Sequence, residues 1–451
     1  VKVFVPNNYD MAGVNITMDD HVLNTSQTIS GNLKSEGAIT VTSMDLNYNV
    51  NNGTVVTQSL TSLNLTSLSN YSFSHATPWI PTATGINTIK VWASNINGNL
   101  DQNTNNDTVT KSVYVANDLS QRKVIFEQFT SNTCGPCASS APAITTFLNN
   151  NNVNSENGKI VGIKYHMNYP SPGNDAAYTT ESTARHTYYG VTGIPHANLG
   201  GNAYSGHSGA IATMQTVVNS EYNRPAIFNI EISAEYTPDS MITITGNYTS
   251  HVDLSGNMKL HVVLIENLVQ KSTMNGTGTT SQTTFGQVMR KMLPNATGTT
   301  VATQTEGQNT AFTQTYNLKT GVQIFSNIND LTAVAFIQNN TTKEVYQSNS
   351  APVELNDVGI HESKSNVSGV NVYPNPVSNN ANLVFSLKAA ESTQITVYNM
   401  IGELVYSNQL GVLPQGNHSY SINTQEFISG LYFVNLKSGN TVTTKKISVI
   451  R

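Results

Sequence analysis

The sequence predicts a mainly β protein with one α/β domain, and three observations set that class. Asn, Thr, Ser and Gly dominate, while charged residues make up only 11% of 451 positions, against about 25% in average soluble proteins. That composition suits strands, turns and an extracellular setting. Runs rich in β-branched and aromatic residues recur along most of the chain. In one stretch, opening at Arg122, strand-like and helix-like patterns alternate instead, as an α/β unit requires. At roughly 100 to 200 residues per domain, the length predicts three or four domains.

Residues 1 to 117 read as β throughout. VKVFV opens at Val1 without a basic leader or apolar core before it, so any secretory signal is expected to have been removed or to lie outside the sequence. TISGNLK, ITVTSMDLNYNV, INTIKVWASNI and DTVTKSVYVAN follow, punctuated by Asn-Gly turns, and an immunoglobulin-like β-sandwich is the expected closure. Residues 121 to 223 form the α/β segment. KVIFEQF and KIVGIKYHM are buried-type strands, and SNTCGPCASSAPAITTFLNN is a loop entering a helix. TTESTARHTYYGV and IATMQTVVNSEYN are two further helices, separated by GIPHANLGG. Arg224-Pro225 marks a boundary. Strands return from 226 to 355 as a second β-sandwich. DVGIHESKSNVSG is a polar linker, and NLVFSL, QITVYN and LYFVNL place a third sandwich at 364 to 451.

Charge and hydropathy narrow the partners. A net charge of −5 and a pI near 6.1 leave no basic footprint for nucleic acid. No transmembrane segment is expected, because no apolar run reaches the roughly 18 to 20 residues a span needs. The nearest, HVVLIENLV from His261, is broken by Glu266 and Asn267.

Both cysteines of the chain lie in one segment, Cys134-Gly135-Pro136-Cys137, which leaves none for a structural staple. A cysteine at a helix start sees unpaired backbone N–H groups and the positive end of the helix dipole, which favour thiolate over thiol. Cys134 is therefore the expected nucleophile. Cys137, one turn later, can close an intramolecular disulfide and expel a bound substrate thiol. Pro136 suits the first turn, where its missing N–H would be unsatisfied anyway.

The order strand, Cys-Gly-Pro-Cys, helix resembles the thioredoxin superfamily over about residues 121 to 223, and Gly193-Ile194-Pro195 after YYGVT stands where that family carries its cis-proline. The resemblance implies a thioredoxin-like fold and thiol-disulfide exchange with protein or peptide thiols. It needs no cofactor beyond the redox-active disulfide Cys134–Cys137. It also implies that Ile194 backbone groups hold a substrate strand and that Pro195 keeps metal from the sulfurs. Gly135, Pro136, Ile194 and His196 are the expected substrate-contacting set. The family's buried acid falls on Glu127, with the uncharged Gln128 the alternative by position. Thr133 stands where Trp is usual, and the insertion NYPSPGNDAAYTTES suggests an enlarged substrate surface or a lid. The competing reading is a vestigial dithiol in a scaffold.

Two metal readings are weaker on spacing. His166, His186, His196 and His207 lack zinc-ligand spacing relative to the cysteine pair, although His166 and His196 are candidates to flank the dithiol. The stretch from Asp101 to Asp107 alternates carboxylate and amide oxygens, yet has Asn106 and Ser112 where a calcium-binding EF-hand needs Gly and Glu. A polar hairpin loop is expected there.

Tyr373-Pro374-Asn375-Pro376 forbids a helix and suits entry to an edge strand. With GELVYS, Gly430-Leu431-Tyr432 and the terminal Lys445-Lys446-Ile447-Ser448-Val449, it closely resembles the sorting domain of the type IX secretion system of Gram-negative bacteria. The resemblance implies the secretion machinery as partner, delivery outside the outer membrane, and release or tethering to surface lipopolysaccharide. Residues 226 to 355, through GQVMRKMLPNATGT and AVAFIQNNTTKEVYQS, resemble the β domain of outer-membrane-associated proteins with this layout. The expected function is an exported thiol-disulfide oxidoreductase. The alternative is a cell-surface binding, structural or adhesive protein whose α/β segment is a spacer.

Overall fold

The computed structural model describes residues 7–237, 239–274, 278–321, 324, 328–355, 366–439 and 441–451. VKVFV at 1 to 5 and the linker at 357 to 365, including the start of the third sandwich expected at 364, lie outside them. The chain divides into two compact units, Val1–Leu355 and Asn356–Arg451, and the described residues are mainly β.

Three regions build the first unit. In the first, a three-stranded sheet (Met11–Ile16, Ser30–Ser35, Asn70–Ser74) faces a five-stranded one whose centre is Gly85–Ser94. Ser30–Ser35 shows why the layers close: its burial alternates strictly, with Leu33 fully inside. Met11, Leu33, Met44, Leu46, Ile89 and Val91 fill the space between the sheets, a sandwich consistent with immunoglobulin-like closure.

From residue 120 to 355 one twelve-stranded sheet runs without a break. Val124–Thr130 is parallel to Ile160–His166 and antiparallel to His196–Leu199. Ile160–His166 then meets Thr284–Leu293 in parallel at Lys164 and Val288. That pairing carries the sheet into the later strands, including Met258–Gln270 and Leu331–Asn339. A short ladder of Pro225–Ala226 on Ser120–Gln121 closes the entry and exit of the α/β segment. The segments at 121 to 223 and 226 to 355, expected as separate domains, thus share one sheet. They also share a core: Ile125, Phe129, Ile163 and Tyr165 pack with Val263, Ile265, Met289 and Phe336.

Among the described residues three α-helices flank this sheet. α1 (Gly135–Asn150) and α3 (Ile211–Asn223) cover one face, where Ile144, Phe147, Leu148, Met214 and Val218 meet Val124 and Phe126. α2 (Thr180–Tyr189) covers the other. It starts at Thr179, whose hydroxyl accepts from the Ser182 N–H, and stops at Gly190 in the left-handed region (φ 68°).

The second unit packs Val367–Tyr373, Asn380–Leu387 and Gly416–Asn423 against four antiparallel strands, Leu404–Leu413, Glu391–Asn399, Gly430–Ser438 and Thr441–Val449. Leu383, Ile395, Val397, Ile422 and Ile447 are fully buried between them.

Candidate functional site

Val124–Thr130 is buried along its whole length, and its side chains alternate between the two helix-covered faces. Val124 and Phe126 lie with α1 and α3, and Ile125 and Phe129 with the α2-side core. Gln128 therefore shares the face of α1, and Glu127 points the opposite way.

Cys134 is the N-cap of α1, in extended conformation, and its Sγ accepts from the Cys137 N–H at 3.1 Å. The two cysteines form a disulfide. Gly135 and Pro136 are exposed in the first turn, but Cys134 and Cys137 are each only 1% exposed. Cys134 Sγ lies 3.9 Å from the Ile194 carbonyl oxygen. This is a contact, since the sulfur of a disulfide has no proton to donate. The Ile194–Pro195 bond is cis. The Pro195 carbonyl accepts from the Ser208 N–H at 3.4 Å, and the Ser208 hydroxyl accepts from Gln128 at 3.0 Å. Dithiol, Ile194-Pro195, Ser208 and Gln128 are thereby brought together.

Glu127 is not part of that group, which corrects the expectation for the acid. Fully buried, it accepts from Arg185 at 2.7 and 3.1 Å, from Tyr165 at 2.8 Å and from Tyr189 at 2.5 Å. Gln338, from Leu331–Asn339, completes the network on Arg185 and Tyr189. Burial and the neighbouring carboxylate push the Tyr165 and Tyr189 phenols well above their ordinary pKa, so both remain donors. Glu127 is a structural anchor joining α2 to the sheet.

Three residues that composition does not flag, Lys164, Asp175 and Tyr169, lie on the strand Ile160–His166 or in the insertion that follows it. Lys164 stands opposite Gln128 in the parallel register and is 8% exposed. No ion-pair partner for it occurs among the described residues, and burial lowers its amine to about 8. Asp175, from the insertion, is buried beside the fully buried His166, with His166 Nδ1 at 2.8 Å from Asp175 Oδ2. Burial alone would raise the Asp175 carboxyl, but His166 and the backbone N–H groups of Asn132 and Ala177 outweigh it and hold it below its ordinary value. Tyr169 and His186 share a 2.7 Å hydrogen bond beside Phe129. His196 is half-buried, 3.1 Å from the Ser205 hydroxyl, with its imidazole pKa lowered by burial. His207 Nδ1 accepts from Gly209 N–H, so the four histidines weighed as zinc ligands each bond a different partner.

In the loop from Asp101 to Asp107 the Asp101 carboxylate and the Asn106 N–H groups are spent on the fold, while Asn106 Oδ1 and Asp107 Oδ1 are buried with no hydrogen-bond partner among the described residues. Asp101 accepts from Met11 N–H and Asn103 N–H, while the Asn106 amide bridges Asp10 and Glu36. Burial, then Asp101 and Asp10, raise the Asp107 carboxyl to about 6. Among the described residues no three or more His, Cys, Asp or Glu side chains are grouped to hold a metal ion.

In the second unit, Tyr373 ends the first strand and Pro374-Asn375-Pro376 follows it. The Asn375 side chain donates to the Lys446 carbonyl at 3.0 Å and accepts from the Ser448 N–H at 2.9 Å, tying the turn to the last strand. Gly430, Leu431 and Tyr432 start the neighbouring strand, where Tyr432 is buried and its hydroxyl reaches the Ile428 carbonyl. Lys445 is half-buried and Lys446 exposed, opposite Val434 and Phe433.

The family described as "Secretion system C-terminal sorting domain" matches residues 371–450, and "Outer membrane protein Omp28" matches 182–357. Of solved structures, HBP35 of Porphyromonas gingivalis is 14% identical, with 74% of this chain and 99% of that one covered and a TM-score of 0.44. A domain of the outer membrane lipoprotein Omp28 from the same organism is 18% identical, covering 29% of this chain and all of that one, with a TM-score of 0.22. The CARDB domain of the PF1109 protein from Pyrococcus furiosus, solved in complex with di-metal ions, is 23% identical over 25% and 94%, with a TM-score of 0.19. No curated protein sequence matches. Among the described residues no helix is long and apolar enough to cross a membrane. The sorting and outer-membrane matches make this a multidomain protein secreted from, or displayed on, a Gram-negative cell, with its C-terminal domain addressed to the type IX secretion machinery.

Proposed function

We propose that residues 121 to 223 carry a thioredoxin-like arrangement within the shared sheet and that the exported protein is a thiol-disulfide oxidoreductase acting on protein or peptide thiols. One observation carries it: the Cys134–Cys137 disulfide caps α1, with the Ile194 carbonyl against Cys134 Sγ. From this oxidised state a substrate thiolate attacks Cys134 Sγ, the S–S bond breaks, and Cys137 leaves as a thiolate that takes up a proton. A second substrate thiolate then attacks the substrate sulfur of the mixed disulfide and expels Cys134 as a thiolate. The substrate loses two electrons and the dithiol gains them. The same steps reversed reduce a substrate disulfide. The Cys137 N–H and the helix dipole stabilise the Cys134 thiolate as leaving group.

The burial of both sulfurs favours a second reading, a surface-binding or structural protein with an inert disulfide. Trapping separates the two. Cys137→Ser is expected to accumulate mixed disulfides with a disulfide-containing peptide, because the Cys134 thiolate attacks the peptide S–S bond, one peptide thiol leaves, and nothing remains to resolve the product, and Cys134→Ser none. Non-reducing electrophoresis with mass spectrometry reads both. Equal trapping by the two variants, or none by either, supports the scaffold.

A further inference from the structure

We infer that Asp175 is a positioning residue for the dithiol, an inference that rests on the oxidoreductase reading for its biological meaning. Ser131, Asn132 and Thr133, the three residues before Cys134, are 1%, 0% and 5% exposed, so their backbone groups cannot turn to water. Asp175 Oδ2 accepts the Asn132 N–H at 2.7 Å and faces His166 Nδ1 at 2.8 Å, while its Oδ1 accepts the Ala177 N–H at 2.9 Å. One buried carboxylate thus joins the end of the strand Ile160–His166, the loop carrying Cys134 and the inserted loop to which it belongs. The same insertion holds the loop a second time, through Thr133 Oγ1 donating to the Pro170 carbonyl at 3.0 Å. Cys134 follows directly, with its N–H bonded to the Ser131 carbonyl and its sulfur aligned on the Cys137 N–H. The insertion thereby fixes the backbone that aims the sulfur at the helix start.

The sign of a pKa change separates positioning from simple charge. Removing a nearby negative charge makes a thiolate easier to form, so charge alone predicts a lower Cys134 pKa in Asp175→Ala. Loss of alignment takes the Cys137 N–H from the thiolate and raises it. The measurement is the pH dependence of iodoacetamide alkylation at Cys134 in the reduced, purified full chain, read by mass spectrometry beside a thermal melt. Asp175→Ala is expected to raise the apparent pKa by about one unit, slowing alkylation at pH 6 about tenfold. Asp175→Asn retains one accepting oxygen and is expected to rise less. Asp107→Asn, which removes a buried carboxylate from the first sandwich, controls for charge loss elsewhere and is expected to match the wild-type profile. Should Asp175→Ala not fold, Asp175→Asn decides: a raised pKa supports positioning, and an unchanged or lowered one overturns it. Exchange of the wild-type protein with a peptide dithiol is scored separately. Its absence sinks the oxidoreductase reading, and the alkylation profile still judges Asp175.

Discussion

Glu127→Ala is expected to destabilise the α/β segment by about 3 to 5 kcal/mol, the usual cost of removing one partner of a buried ion pair. Arg185 is 2% exposed and receives its charge compensation from Glu127, so the variant strands a guanidinium beside Tyr165 and Tyr189 in a dry core. Domain stability is about 5 to 15 kcal/mol, so such a loss is a large share of the total. Urea denaturation measures it, and hydrogen exchange in α2 localises it. The folded fraction should keep the wild-type alkylation profile at Cys134, because Glu127 faces away from α1. A loss below about 1 kcal/mol would mean the network is ornamental. A shifted Cys134 profile with intact stability would restore the acid role first expected of Glu127.

Removing residues 370 to 451 is expected to abolish surface delivery and leave a folded, periplasmic protein. The second unit has its own core, with Val377, Ala381, Leu383, Ile395 and Ile447 fully buried, and it carries the whole sorting match. The first unit closes its sheet by Leu355. Surface proteolysis of intact cells, with fractionation, gives the answer. Truncated protein at the wild-type surface level would show that export needs no such domain. Degradation of the truncated protein would show that the first unit depends on it.

Much of this organisation was legible in the sequence because it is local. Alternating burial in Ser30–Ser35 and Asn380–Leu387 follows from period-2 patterning, and the helix start at Cys134 from a strand, a turn and Pro136 in succession. What failed to show is non-local. Val124–Thr130 is apolar enough to be buried on both faces, so it has no alternation to say that Gln128, and not Glu127, lies on the α1 side. The pairing of Lys164 with Val288, which fuses the α/β segment to the later strands, joins positions far apart in the chain with no turn between them to announce it. Asp175 looked like one polar residue in a loop rich in Pro and Gly. Only the fold reveals that it is buried against Asn132 and His166.

The most direct measurement of the central claim is the redox state of the wild-type dithiol during exchange. Folded protein recovered from the cell surface is offered a peptide dithiol at neutral pH, quenched at intervals with acid, and alkylated for mass spectrometry of the peptide containing Cys134 and Cys137. The account predicts stoichiometric reduction of the Cys134–Cys137 disulfide with matching oxidation of the peptide, through a mixed disulfide on Cys134. A disulfide that stays intact in the folded protein, and opens only under denaturing conditions, would contradict it and leave the protein a surface scaffold.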